Sequence, residues 1–151
     1  IQPQSIAYDG NGFLWVLCDG GGWATNPIGY EAPSISRINL STFKVDKTIK
    51  LAQYSSASGL RYHDGKLYWI ENGVQRMDVN ADEAPSAPFI PSESYGLYAL
   101  TVNPINGDIY VADATDYMQA GSVSRYNASG DKTDSFNVGI IPAGFCWKFG
   151  K

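Results

Sequence analysis

Apolar and polar positions alternate along this chain in short stretches, each cut off by Gly, Asn or Asp before a helix could be completed. Ser5-Ile6-Ala7-Tyr8, Phe13-Leu14-Trp15-Val16-Leu17, Leu67-Tyr68-Trp69-Ile70 and Ile109-Tyr110-Val111-Ala112 are rich in β-branched and aromatic residues and have the length of strands. Between such runs stand Asp9-Gly10-Asn11-Gly12, Asp64-Gly65 and Asn106-Gly107, turn sequences in which Gly and Asn tolerate positive φ. The pattern predicts strands joined by hairpin turns and almost no helix.

The hairpins repeat. Ser5–Val16, Gly59–Ile70 and Leu100–Val111 share the order strand, glycine turn, strand, and Leu14, Leu67 and Ile109 occupy equivalent places in them. Each hairpin is followed by a third strand with an arginine in register, at Arg37, Arg76 and Arg125, and then by a more polar fourth strand, expected at Lys44–Leu51, Ala87–Pro91 and Thr133–Val138. Four antiparallel strands in about 40 to 50 residues is the size of one β-propeller blade. The expected fold is therefore all-β: a partial β-propeller of three four-stranded antiparallel blades, about 1–51, 52–91 and 95–138, plus the inner strand of a fourth at 140–149, within one domain spanning 1–151. The likeness of Ile140–Trp147 to Ile1–Tyr8 sets this phase. Rings have typically 4 to 8 blades, so the remaining blades are expected from an absent segment or from a second chain. The arginines, in register on sheet surfaces, are expected to bridge neighbouring strands or blades rather than to line a site.

Propeller connections fall on two rims. One rim receives the first-to-second and third-to-fourth strand turns, Asp9–Gly12, His63–Gly65, Asn80–Ser86, Asn103–Gly107 and Ala128–Asp131, which are mostly tight and polar and carry little beyond Phe43 that could grip a ligand. The other receives the loops Asp19–Pro33 and Asp113–Gly121, the Asn72-Gly73 turn, and the blade connections Gln53–Ser58 and Pro91–Gly96. Trp23, Tyr30, Tyr54, Tyr95 and Tyr117 all fall on this second rim. Tyr and Trp offer broad, rigid contact surfaces, and long loops on a rigid scaffold are where binding concentrates. These five aromatics, with the carboxylates of Asp113 and Asp116, are the candidate ligand-binding residues; Glu31 shares the rim. The carboxylates could hydrogen-bond hydroxyls or hold a cation. The alternative is that the aromatics fold down over their own loops and the carboxylates are solvated loop charges.

Composition narrows the classes. At 44% apolar and 17% charged, the chain has the material for a core and is not a disordered polymer. No apolar stretch approaches the roughly 20 residues of a membrane-spanning helix. The start at Ile1, with neither methionine nor signal peptide, reads as a processing point or a break in a longer chain. A net charge of −4, with Lys and Arg scattered, leaves no basic patch, so nucleic acid is not an expected partner. Cys18 and Cys146 lie in apolar runs of different blades and read as buried free thiols. The single histidine, His63, stands beside a tight turn, and there is no nucleophile–base pair, Cys/His cluster or phosphate loop. No catalytic residue, metal site or cofactor is therefore assigned. Asp9-Gly10-Asn11-Gly12 begins like a calcium loop but lacks the later ligands, and reads as a turn. Asn39-Leu40-Ser41 and Asn127-Ala128-Ser129 fit the glycosylation sequon at strand ends, where Asn and Ser are expected in any case.

Three stretches together carry a family resemblance: Ile1-Gln2-Pro3 with Leu14-Trp15-Val16-Leu17-Cys18-Asp19-Gly20-Gly21, then Ile109–Tyr117, and the closing Gly139-Ile140-Ile141-Pro142-Ala143-Gly144-Phe145. The chain resembles the carboxy-terminal part of YncE-like surface β-propellers of gut Bacteroidetes. The resemblance implies a seven-bladed ring, an extracytoplasmic location in the periplasm or at the outer-membrane surface as a lipoprotein, and capture of a small molecule, with an outer-membrane transporter as a partner for some members.

Three functions compete on the residues themselves. The first is a non-enzymatic binding protein that captures a small molecule or glycan on the aromatic rim. The second is a propeller enzyme of lactonase or lyase type, in which a central cation held by Glu, Asn and Asp would activate substrate. The third is a protein-docking scaffold. The first strands supply no inward carboxylate apart from Asp9 at an edge, which favours binding over catalysis.

Overall fold

The structure, a computed structural model, describes residues 2–20, 31–92 and 94–149. β1 (Pro3–Tyr8), β2 (Phe13–Cys18), β3 (Ser34–Asn39) and β4 (Lys44–Lys50) form one four-stranded sheet. β5 (Ser58–His63), β6 (Lys66–Ile70), β7 (Gly73–Asp78) and β8 (Ile90–Pro91) form a second, and β9 (Leu97–Val102), β10 (Ile109–Asp113), β11 (Ala120–Tyr126) and β12 (Lys132–Ile140) a third. Each sheet keeps its strands in chain order, and each neighbouring pair is antiparallel. Among the described residues there is no helix, and so none long and apolar enough to cross a membrane.

The turns form for the reasons their residues suggest. Asp64 and Gly65 both take positive φ, 44° and 74°, the pairing that a two-residue turn matched to strand twist requires. Asp9 does the work of its turn through its side chain: Oδ1 accepts from the amides of Asn11 and Phe13, while Oδ2 accepts from the Trp15 indole at 3.4 Å. Asn39 and Asn127 likewise accept amide hydrogen bonds from residues two further on, at Ser41 and Ser129.

Apolar side chains fill the space between sheets. Blades one and two enclose Trp15, Leu17, Ile35 and Ile49 against Leu60, Leu67, Trp69 and Met77. Blades two and three enclose Tyr68, Ile70, Val74 and Ile90 against Leu100, Val102, Ile109 and Val111. Each fully buried Leu or Ile here is worth about 1.5–3 kcal/mol over its exposed state. The in-register arginines tie neighbouring strands, turns and blades together. Arg37 holds Asp46 through Nε and Nη2, at 2.8 and 3.1 Å, and covers the Phe13 ring. Arg76 lies 3.4 Å over the Phe89 ring and donates to the Ala128 carbonyl of the next blade. Arg125 pairs with Asp108.

Two elements differ from expectation. The fourth strand of blade two covers only Ile90–Pro91 rather than Ala87–Pro91. Pro88 and Pro91 lack the amide a ladder needs, and Phe89 is engaged under Arg76 instead. The second difference is at 140–149. β12 runs on to Ile140, and Ile141–Phe149 pairs with no strand among the described residues. Ile141 takes φ 53° and Pro142 follows, which turns the chain back. The segment then lies over the outward side of blade three, with Phe145 packed on a small cluster of Ala99, Ala112 and Val123. Trp147 meets Tyr110 edge-on at 5.3 Å and donates its indole N–H to Thr101 Oγ1 at 3.1 Å. Both thiols are free; Cys18 is buried, but Cys146 is exposed, since the aromatics either side of it take the sheet-facing positions.

Candidate binding cavity on the loop rim

The inner strands β1, β5 and β9 share a feature beyond the hairpin repeat. Each contains one extra residue relative to its partner near the end that enters from the aromatic rim: Gln4 between Pro3 and Ser5, a residue of the Gly59-Leu60 pair in β5, and Tyr98 between Leu97 and Ala99. A bulge bends its strand and re-aims a side chain. Gly59 supplies the positive φ, 69°, for the second of them. The bulges are linked across blades, since the Leu60 amide donates to Ser5 Oγ at 2.9 Å.

All three bulges open onto one cavity of about 650 Å³. It is bounded by the starts of the three inner strands, the Asn72-Gly73 turn, the connections at Ser56–Ser58 and Ser94-Tyr95, and Tyr117. Tyr98 and Tyr117 meet edge to face, ring centroids 5.7 Å apart, and remain 43% and 48% exposed, so their faces are available. Tyr117 takes φ 64° and Thr115 φ 56°, a left-handed backbone that costs a non-glycine residue about 1–2 kcal/mol. The loop that imposes it is held by Asp116, whose Oδ1 accepts from the Met118 and Gln119 amides and whose Oδ2 accepts from Gln119 Nε2 at 2.7 Å. Those hydrogen bonds, the Gln119 side chain first, draw the Asp116 carboxyl down to about 2.

Arg61 is the charged group of the cavity. It pairs with Tyr68 across β5 and β6 and so lies on the side of blade two that faces blade three. Half-buried, it donates through Nη1 to the Leu60 carbonyl at 2.8 Å, and no carboxylate among the described residues pairs with it. Burial pushes its guanidinium down from the usual arginine range. An arginine remains charged at neutral pH even so.

The sequence-derived candidates fall into four groups. Tyr95 and Tyr117 line the cavity, together with Tyr98 and Arg61, which sequence reasoning missed. Asp113 lines a smaller neighbouring cleft of about 380 Å³ between blades two and three; its Oδ1 accepts from the Thr115 amide, and the backbone beside it holds Gly96. Asp116 spends its oxygens on its own loop, and Tyr54 stands exposed on the rim with φ 62°, bordering neither space. Trp23 and Tyr30 lie outside the described residues. At the ends of the second strands, carboxylates serve the blade connections: Asp19 accepts from the Ala57 amide at 2.7 Å, and Glu71 accepts from the Trp69 indole at 2.9 Å and from the Ala52 amide at 3.2 Å. No three His, Cys, Asp or Glu side chains converge as a metal site among the described residues.

No protein-family model and no curated protein matches the chain. Solved structures do match. A quinoprotein alcohol dehydrogenase-like protein from Bacteroides thetaiotaomicron superposes over 92% of the chain with a TM-score of 0.70 at 15% identity. Hydrazine synthase from Kuenenia stuttgartiensis covers 92% with a TM-score of 0.69 at 18% identity, and AztD from Citrobacter koseri covers 94% with a TM-score of 0.57 at 15% identity. At these identities the likeness is one of fold. The chain is a β-propeller segment, and it spans 34%, 38% and 48% of those three structures, less than half of each.

Proposed function

We propose that this chain is the ligand-gripping part of a non-enzymatic binding propeller, which captures a small molecule or glycan at the aromatic rim. The observation that carries this reading is the cavity where three bulged inner strands meet Tyr95, Tyr98 and Tyr117. Its size suits a small-molecule site, and two of its aromatics stand half exposed, Tyr98 at the β9 bulge and Tyr117 on the strained loop braced by Asp116. The YncE-like resemblance supports an extracytoplasmic protein that hands its ligand to an outer-membrane transporter, with the other blades supplied by the rest of a longer chain or by a second chain. Calorimetric titration of a panel of neutral and acidic sugars and aromatic acids tests the reading. A ligand of this site should lose at least about tenfold in affinity on Tyr117→Ala or Tyr98→Ala, since truncating an aromatic anchor typically costs about 2 kcal/mol or more. Unchanged affinity in both variants would remove the cavity from consideration.

A further inference from the structure

Resting on the reading of this cavity as a binding site, we infer that its ligand is a small ring compound bearing a carboxylate, which Arg61 receives. Arg61 is the only charged residue among the described residues that line the space. Of its five N–H donors, one is given to the Leu60 carbonyl, so most of the guanidinium fork is free. Among the described residues this half-buried cation has no counter-charge, which is costly to keep, and a planar fork matches a carboxylate with two parallel hydrogen bonds. The remaining lining among the described residues is neutral and includes the hydroxyls of Ser58, Ser94 and the tyrosines, and the amide of Asn72. A single guanidinium, with no lysine and no second arginine among the described lining residues, balances one negative charge, which fits a carboxylate better than a doubly charged phosphate. The Tyr98–Tyr117 pair beside it presents ring faces to the body of the ligand.

The test uses two matched pairs of probes on the folded chain: glucuronate with glucose, and benzoate with benzamide. Each is titrated while the side-chain Nε–H resonance of Arg61 and the backbone amides are followed by NMR. The acidic member of at least one pair should bind about tenfold more tightly than its neutral partner, the worth of one charge-assisted contact, and should shift the Arg61 resonance. An acidic sugar source and an aromatic-acid source are told apart by which pair discriminates. Arg61→Gln should erase the preference while leaving the weaker neutral binding, and Arg61→Lys should restore part of it. Melting temperatures of the variants report whether the fold is kept. Neutral probes that bind as well as their acidic partners, with binding still lost in Tyr117→Ala, would overturn the carboxylate assignment and leave the site standing. If no probe moves a cavity resonance, both the site and the assignment fall.

Discussion

At the scale of single residues, Gly96 is one of the closely confined positions on the rim. A Cβ there would come within 2.4 Å of Asp113 Oδ1 and within 2.7 Å of both the amide and the carbonyl of Thr115, so the clash is largely with backbone. Gly96→Ala should cost about 1–3 kcal/mol in chemical denaturation and should disturb the Tyr95 and Tyr117 resonances. Gly10 and Gly12 have open space around the same position. Glu71 makes a second case: its carboxylate is buried and serves the Trp69 indole and the Ala52 amide at once. Glu71→Ala should lower stability by about 1–3 kcal/mol for each donor left buried without a partner, with Glu71→Gln costing less. The residues that sequence reasoning overlooked were hidden for physical reasons. Arg61 stands in an inner strand where alternation alone reads as sheet surface, and its isolation from carboxylates among the described residues exists only in three dimensions. Tyr98 precedes the point where the strand was expected to begin, and a bulge is invisible to a pattern of period two.

At the scale of elements, hairpins were legible because Asp-Gly and Asn-Gly act locally, and the arginine strands because the repeat put them in register. The short β8 was partly legible, since Pro88 and Pro91 announce a broken ladder. The closing segment was not. Its likeness to β1 is genuine in sequence, but a strand exists only with a partner, and its aromatics found a sheet face instead. That packing is testable: Trp147→Phe should cost about 0.5–1.5 kcal/mol for the lost hydrogen bond to Thr101, and Trp147→Ala more, with increased binding of an apolar dye to the uncovered Tyr110 and Val123. The Asp113–Gly121 loop carries a pH dependence. The Asp116 carboxyl sits at about 2 in the fold against an ordinary 3.8, so its ionised form supports the loop. That support is complete above about 3.8 and is lost as the pH falls through about 2. Amide shifts of Met118 and Gln119 should report the loosening over that window, and Asp116→Ala should reproduce the loosened shifts at neutral pH.

At the scale of the whole molecule, the three blades leave one broad apolar side. On the face of blade one turned away from blade two, Ile6, Tyr8 and Val45 are 62%, 57% and 58% exposed, and Leu14, Val16 and Ile38 lie beside them half-buried. Nothing among the described residues covers that face, whereas Phe145 and Trp147 cover the corresponding side of blade three. The chain by itself should therefore associate as its concentration rises. Ile6→Lys with Val45→Glu should suppress the association in sedimentation experiments without altering the cavity. That an open arc of blades was present could be read from the repeat, because about 40 to 50 residues per unit yields three units in this length. Where the rim becomes a site could be read only in part: the long loops and their tyrosines were evident, while the convergence of three bulged strands on one space required coordinates. The most direct test of the account is NMR shift mapping of the chain with a mixture of sugars, sugar acids and aromatic carboxylates. The account predicts perturbations centred on Ser58, Gly59, Arg61, Tyr98 and Tyr117; perturbations confined to His63, Asp64 and Asn106 on the opposite rim would contradict it.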